Sequence, residues 1–570
     1  MTGYHDGLGD GLDPVTLEIL FNALRSVTDE TFVALMRSAY STNIKERRDH
    51  STAICDPEGR LIVQADSSLP IHLASMVGMM DALRDKFPLD GIAEGDLFVA
   101  NDPHVAGGTH LPDINMAMPV FVDGRLLAFV CNIAHHADVG GMAPGSMAGG
   151  MSEIYQEGLR IPVVRLIRAG ELQQDIFDLL LLNVRLPEER QGDYYAQISA
   201  CRLGARRLGE IAQRYSADVL GGAFTEIIDR TERRMRAAIA DVADGVYAFE
   251  DVMDDDGLGA VDIPIKLRVE VSGDRVHFDF TGTAPQVRGN VNVTLNATQA
   301  SVCYSLKALL DPEVPNNQGV LNVCEIATER GTLLDCEAPS PVAARANTCQ
   351  RIVDVVIGAL KDALPDAAVG AANGANTTAV FSGRDPVSGR DYLYLETLGG
   401  GFGGRNDRDG KDGVQVHITN TSNLPVEAIE MEYPLRVVSY SLVPDSGGAG
   451  EYRGGMGLRR VVTPVDHECV FNGAGERFRN PPWGVFGGGD GAMGRFAHVQ
   501  EDGTEHGLEI KPSGIVVRPG EHVVVETPGA GGYGDPGARD KAALRTDHRS
   551  GKFSDAYMAE RYGVSVAEEE

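Results

Sequence analysis

The sequence predicts an α+β chain of several domains, built of mixed helices and antiparallel sheets, with a β- and glycine-rich C-terminal part. Three observations predict it. Apolar residues recur at helical spacing over 14–35, 71–86, 187–243 and 346–364. They alternate with polar residues across a hairpin at 265–280. From about residue 430 onward, short strand-like runs are broken by glycine turns. A length of 570 residues fits roughly three or four domains. Composition shifts near 245 and 430 divide the chain into an N-terminal domain over 1–245, a mixed α/β middle domain over 246–430 and a β-rich C-terminal domain over 431–570.

The elements follow in order. Asp13 is placed to cap a helix whose first residue is Pro14, and Leu17, Leu20, Phe21, Leu24, Val27, Thr31 and Leu35 continue it on one face. Ser51–Cys55 and Arg60–Gln64 flank the turn Asp56-Pro-Glu-Gly59, which reads as strand, turn and strand. The long stretch 187–243 carries many Arg and Glu on its outer side. Ile265, Leu267, Val269 and Val271 alternate with charged residues, Ser272–Arg275 turns the chain, and Val276, Phe278 and Phe280 alternate again. The helix over 346–364 presents Ile352, Val355, Val356, Leu360 and Leu364. Gly399–Gly404 and Thr527–Pro536 read as glycine loops that need positive φ, the first with some likeness to an anion-binding nest. The acidic end Glu568–Glu570 reads as a solvated tail.

Composition narrows the function. Hydrophobic residues are 43% and charged residues 23%, which is ordinary for a globular chain. The net charge of −31 repels phosphate backbones and argues against nucleic acid as a partner. No apolar run approaches the roughly 18 residues of a membrane span, and the first residues lack the pattern of a signal peptide. A cytoplasmic protein is expected. The eight cysteines form no C-x-x-C pair, so they read as small buried hydrophobes. Glycine is 68 of 570 residues, about 12% against an average of about 7%.

The chemistry-bearing residues cluster. Asn101-Asp-Pro-His104 is followed by Gly107-Gly-Thr-His110-Leu-Pro-Asp113 and then by Asn132-Ile-Ala-His135-His136-Ala-Asp138. Five of the 14 histidines lie between 72 and 136. A lone histidine more often satisfies a buried carbonyl. Several histidines beside carboxylates form the donor set that zinc, manganese or iron accepts.

These segments carry a resemblance that extends over nearly the whole chain. DPVTLEIL near 13, NDPHVAGGTHLPDI from 101, AHHADVGGMAPGSM from 134, EIYQEGLRIP from 153, NTCQRIV from 347, ETLGGGFGGRNDRDG from 396 and ETPGAGGYGDP from 526 are similar to the hydantoinase B/oxoprolinase family. The resemblance implies a division of labour. A separate A-type subunit with an actin-like fold binds ATP with Mg and phosphorylates the substrate carbonyl. The B-type chain holds one divalent metal, zinc or manganese, where the reaction is completed. The family's ligands fall on Asp49, His110, Asp113 and His135, with Glu46 and His136 as the alternatives beside Asp49 and His135. His136 and Asp138 are then expected at the inner rim of the pocket, His136 facing the substrate and Asp138 orienting a ring. The implied activity is ATP-dependent hydrolysis of a cyclic amide such as a hydantoin, a lactam or 5-oxoproline, in a hetero-oligomer such as A2B2. The alternative within the family is an acetone- or acetophenone-type ketone carboxylase, and the alternative outside catalysis is a scaffold for the ATPase.

Overall fold

The computed structural model describes residues 12–564. The N-terminal segment before them and the acidic end at Glu568–Glu570 lie outside the described residues. Helix α1 (Pro14–Ser38) starts as its sequence dictates, with the Asp13 carboxylate accepting the N–H groups of Val15 and Thr16 at 3.0 and 3.1 Å. Its buried face, with Leu20, Leu24 and Leu35 fully covered, rests on the first sheet and on a later helix.

That sheet has seven antiparallel strands: β1 (His50–Cys55), β2 (Leu61–Gln64), β3 (Leu97–Ala100), β4 (Asp113–Val122), β5 (Arg125–His135), β6 (Val164–Arg168) and β7 (Glu171–Leu172). Their spatial order is β2-β1-β5-β4-β3-β6-β7. The short α2 (Thr42–Lys45) precedes β1, and α3 (His72–Lys86) follows the β1–β2 hairpin. The expected helical stretch 187–243 is two helices beyond the short α4 (Gln174–Leu182). They are α5 (Pro187–Tyr215) and α6 (Ala217–Ala240). Ser216 breaks them with φ at 69°, and its hydroxyl accepts from Val219 N–H at 3.4 Å to cap the second.

A second sheet runs β11-β10-β9-β8, from β8 (Gly245–Asp255), β9 (Val261–Ser272), β10 (Arg275–Asp279) and β11 (Cys324–Ala327). The alternating pattern holds, since Ile265, Leu267, Val269 and Val271 are buried and the charged residues between them are exposed. Helices α7 (Leu295–Leu310), α8 (Gln318–Asn322) and α9 (Arg345–Leu360) complete this part. Helix α9 ends four residues before the expected 364, and every one of its residues is buried. It has no solvent face because α7, β8 and β9 all pack on it. Two of its polar residues meet buried partners: Gln350 Nε2 donates to the Val416 carbonyl at 3.0 Å, and Asp354 accepts from Arg477 at 2.8 Å.

The third sheet, β13-β12-β16-β19, joins β12 (Thr377–Arg384) and β13 (Asp391–Leu398) to β16 (Cys469–Ala474) and β19 (Ile515–Val517), taking strands from both sides of residue 430. The fourth, β14-β15-β20-β17-β18, contains β14 (Leu435–Leu442), β15 (Leu458–Pro464), β17 (Arg495–Val499), β18 (Glu505–Gly507) and β20 (His522–Glu526). Between them lies the reason for the glycine content. Segments around 399–404, 447–457, 484–494 and 527–534 run side by side with backbone against backbone. Gly404 N–H donates to Gly531 at 2.9 Å, Gly455 N–H to Phe402 at 2.9 Å, and Ala530 N–H to Gly455 at 3.1 Å. A Cβ at Gly403 would stand 1.8 Å from the Gly370 carbonyl oxygen. No glycine of 399–404 has positive φ, so these residues are needed for close approach and not for the loop conformation expected from sequence. No helix among the described residues is long and apolar enough to cross a membrane.

Candidate metal centre

The site forms where three neighbouring strands of the first sheet end together. β4 begins at Asp113, β5 ends at His135, and the two residues are partners across the ladder. β1 begins next to Asp49, whose carbonyl accepts the His135 N–H at 3.0 Å. His110 stands three residues before β4, on a turn closed by Asp113 N–H to the His110 carbonyl at 3.3 Å. The ligand atoms of His110, Asp113 and His135 lie within 4.8 Å of one another, and all three residues are buried. Asp49 lines the same cavity, which has a volume of about 30 Å³.

The donor set fits a cation on two unpartnered atoms. His110 Nδ1 lies 3.0 Å from the Ala343 carbonyl. A carbonyl can only accept, so Nδ1 carries the proton and Nε2 presents a bare lone pair. That Nε2 lies 3.2 Å from Asp113 Oδ1, and neither atom has a hydrogen-bond partner. Two buried acceptors facing each other need a positive charge between them. Anchoring the far ring nitrogen on a carbonyl is also the support that metal-binding histidines use. Asn43 clamps the third group. Its Nδ2 donates to the His135 carbonyl at 2.7 Å and lies 2.9 Å from the ring Nδ1.

Burial would raise the Asp113 carboxyl, but its electrostatic contacts with His110, Arg345 and His72 outweigh it and hold this group well below the usual carboxylate range. Burial pushes the His110 imidazole down, helped by Arg345, and drives His135 well below its ordinary value. Both rings are therefore neutral near pH 7, and on His110 the bare Nε2 is able to ligate.

Several residues that sequence reasoning passed over complete the site. Arg345, the first residue of α9, donates to Asp113 Oδ2 at 2.7 Å and to Thr109. Arg47 reaches Thr397 at 2.7 Å, hydrogen-bonds Asn43 and stands 3.6 Å from Asp49 Oδ2. His72 Nε2 is 3.7 Å from Asp113 Oδ1. Asn376, Thr397, Thr419 and Thr421 form a neutral polar wall from the far half of the chain. Glu157 supports from behind, accepting the N–H groups of Val342 and Ala343 at 2.8 and 2.7 Å, and burial pushes its carboxyl up to about 8. Arg47 lies between the candidates Glu46 and Asp49, and His72 is one of the five clustered histidines, so these two had a faint signal.

His136 and Asp138 are not brought to the cavity. As the next residue after His135, His136 points to the other side of the sheet. There its Nε2 meets Gln197 of α5 at 3.0 Å, its ring packs edge-on against Tyr194, and burial pushes it down to about 4. Asp138 accepts the N–H groups of Gly140, Gly145 and Arg185 and the Arg185 guanidinium, tying the loop after β5 to the start of α5.

Residues 13–536 match the model of the family described as hydantoinase B/oxoprolinase. The chain belongs to the hydantoinase B/oxoprolinase family. It is 33% identical to the caprolactamase subunit beta of Pseudomonas jessenii, over 97% of this chain and 96% of that one. It is 32% identical to 5-oxoprolinase 1 of Arabidopsis thaliana over 92% of its own length, which is 42% of the plant protein. The crystal structure of the ATP-dependent caprolactamase from Pseudomonas jessenii superposes with a TM-score of 0.92, covering 97% of both chains at 31% identity. Nucleotide-free acetone carboxylase shares the fold, with a TM-score of 0.89 at 18% identity over 97% of this chain and 80% of the other.

Proposed function

We propose that this chain is the metal-holding B-type subunit of an ATP-dependent cyclic amidohydrolase, completing the ring opening of a substrate that an A-type ATPase subunit has phosphorylated. The observation that carries the reading is the pair of unpartnered acceptors, His110 Nε2 and Asp113 Oδ1, within a cluster shared with His135. Its likeness to a caprolactamase subunit supplies the substrate class. Asp49, which lines the same cavity, is the fourth ligand. Two histidines and two carboxylates suit zinc or manganese. When bound, the ion supplies Lewis acidity and makes water acidic enough to attack near neutral pH.

The chain's own residues do the rest. Ala343 and Asn43 hold the two rings, and Arg345 fixes the second oxygen of Asp113. Leu69, Ile71 and Met147 exclude bulk water from the cavity. A volume of about 30 Å³ has room for an ion with one or two waters. Admission of a ring therefore requires a wall to move. Purified chain mixed with its A-type partner is expected to open caprolactam, a hydantoin or 5-oxoproline only when ATP is present and without bicarbonate. Strict bicarbonate dependence would move the chain to ketone carboxylation. Activity of either partner alone would end the division of labour.

A further inference from the structure

Seven of the eight cysteines are buried, and Cys324 is the exception. It opens β11 half-buried, and its Sγ faces that of Cys303 on α7 at 3.3 Å. Cys303 lies behind it, 2% exposed. Both sulfurs approach one acceptor, the Val320 carbonyl of α8, at 3.4 Å from Cys324 and 3.9 Å from Cys303. The end of α7, the turn after it and α8 thus bring the two side chains together. A disulfide bond is about 2.0 Å long, so the sulfurs need to approach by roughly 1.3 Å, which is within the reach of side-chain rotation.

Cys55 and Cys131 supply the contrast. Their sulfurs are 4.0 Å apart, but both residues are sealed in the first sheet, with Met80 Sδ 3.8 Å from Cys131. Proximity there comes without access. Thiol oxidation needs both, because the oxidant must reach one sulfur and the second must reach the product. The two thiols of the open pair also differ from each other. The Cys303 S–H donates to Cys324, and that bond, with burial, pushes the Cys303 thiol well above its ordinary value. Cys303 keeps its proton and is covered, so Cys324 is the sulfur that meets an oxidant first.

We propose that Cys303 and Cys324 form a peroxide-responsive pair, oxidised to a reversible intramolecular disulfide. The Cys324 thiolate attacks one oxygen of hydrogen peroxide. An S–O bond forms, the O–O bond breaks, and hydroxide leaves. The resulting sulfenic acid stands beside Cys303. The Cys303 sulfur gives up its proton and attacks the sulfur of Cys324, so that the S–S bond forms, the S–O bond breaks and the oxygen departs as water. Two thiols and one peroxide give one disulfide and two waters. A dithiol reductant reverses the change by exchange. The bridge fastens α7 to β11, closes the loop 304–323 and removes freedom from the unfolded chain. The same helix braces the loop before His110, where Asn296 Nδ2 donates to the Gly107 and Gly108 carbonyls at 2.5 and 3.0 Å. The proposal is independent of the metal reading.

The test uses the full chain, fully reduced and then exposed to a small excess of hydrogen peroxide. The oxidised chain is expected to lose two of its eight alkylatable thiols and the mass of two hydrogens. Peptide mapping should recover Cys303 joined to Cys324, with Cys55 and Cys131 still alkylated separately. Dithiothreitol should restore all eight thiols, and the urea midpoint should be higher in the oxidised chain than in the reduced one. Cys303→Ser is expected to halt at the sulfenic acid of Cys324, trapped by dimedone, and Cys324→Ser to form no bridge. A wild-type chain whose Cys324 resists peroxide, or is over-oxidised while Cys303 stays a free thiol, would overturn the proposal. A bridge between Cys55 and Cys131 in place of the open pair would overturn it too. Mapping of the wild-type chain decides these outcomes, so a variant that fails to fold leaves the test intact.

Discussion

Arg345→Met isolates the electrostatics of the candidate centre. Asp113 Oδ2 receives Arg345 at 2.7 Å, while Oδ1 has no hydrogen-bond partner. Both side chains are buried. Removing one member of a buried pair leaves an uncompensated charge and costs about 3–5 kcal/mol. That cost applies in full to the metal-free chain. With metal present, a cation on Oδ1 balances the carboxylate, and removal of a neighbouring positive charge strengthens its binding. Zinc stabilises wild type as well, so the gap narrows only by the variant's tighter binding, about 1.4 kcal/mol for each tenfold gain in affinity. Urea unfolding with chelator and with saturating zinc, together with zinc affinity by chelator competition, reads both effects. The variant should be much less stable than wild type in chelator, less far below it in zinc, and should bind zinc more tightly. An equal stability loss in both conditions, or weaker zinc binding, would refute the charge-balance argument.

Gly403→Ala should abolish soluble folded protein, because its Cβ would stand 1.8 Å from a backbone oxygen, whereas Gly209→Ala on α5, with nothing within 4 Å, should stabilise by up to about 1 kcal/mol; soluble yield and melting temperature report both. Glu157 is held protonated up to about 8 against an ordinary value of 4.5. The folded chain must keep a proton that the unfolded chain loses, so Glu157 lowers stability progressively as pH rises from 4.5 to about 8. Glu157→Gln, which keeps the accepting oxygen, should match wild type below pH 4.5 and exceed it by on the order of 3 kcal/mol at pH 7. A gap in unfolding free energy that does not widen with pH contradicts this.

The first helix, two hairpins and the histidine–carboxylate cluster were legible in the sequence because their signals are local, while the choice of ligands within the cluster came from the family resemblance. The cap at Asp13, the 51–64 hairpin and the alternation at 265–280 each rest on neighbours within a few residues, and each forms as expected. His110 and Asp113 are three apart, and His135 is the ladder partner of Asp113. What local pattern could not show was contact across the chain. Arg345 reaches Asp113 from 232 residues away, and its sequence neighbours carry no mark of that. The burial of α9 on all sides likewise depends on three elements from other segments. His136 shows the limit of reading adjacent residues as one site, since a strand turns neighbouring side chains to opposite faces. The glycines were visible in number, but their role depends on which backbones they face.

The most direct test is the metal content of the purified chain and of His110→Ala, by elemental analysis, with circular dichroism confirming that the variant is folded. One divalent ion per wild-type chain and a loss of at least tenfold in affinity for the variant are predicted. A folded His110→Ala chain that retains a full equivalent of metal would contradict the assignment of this centre.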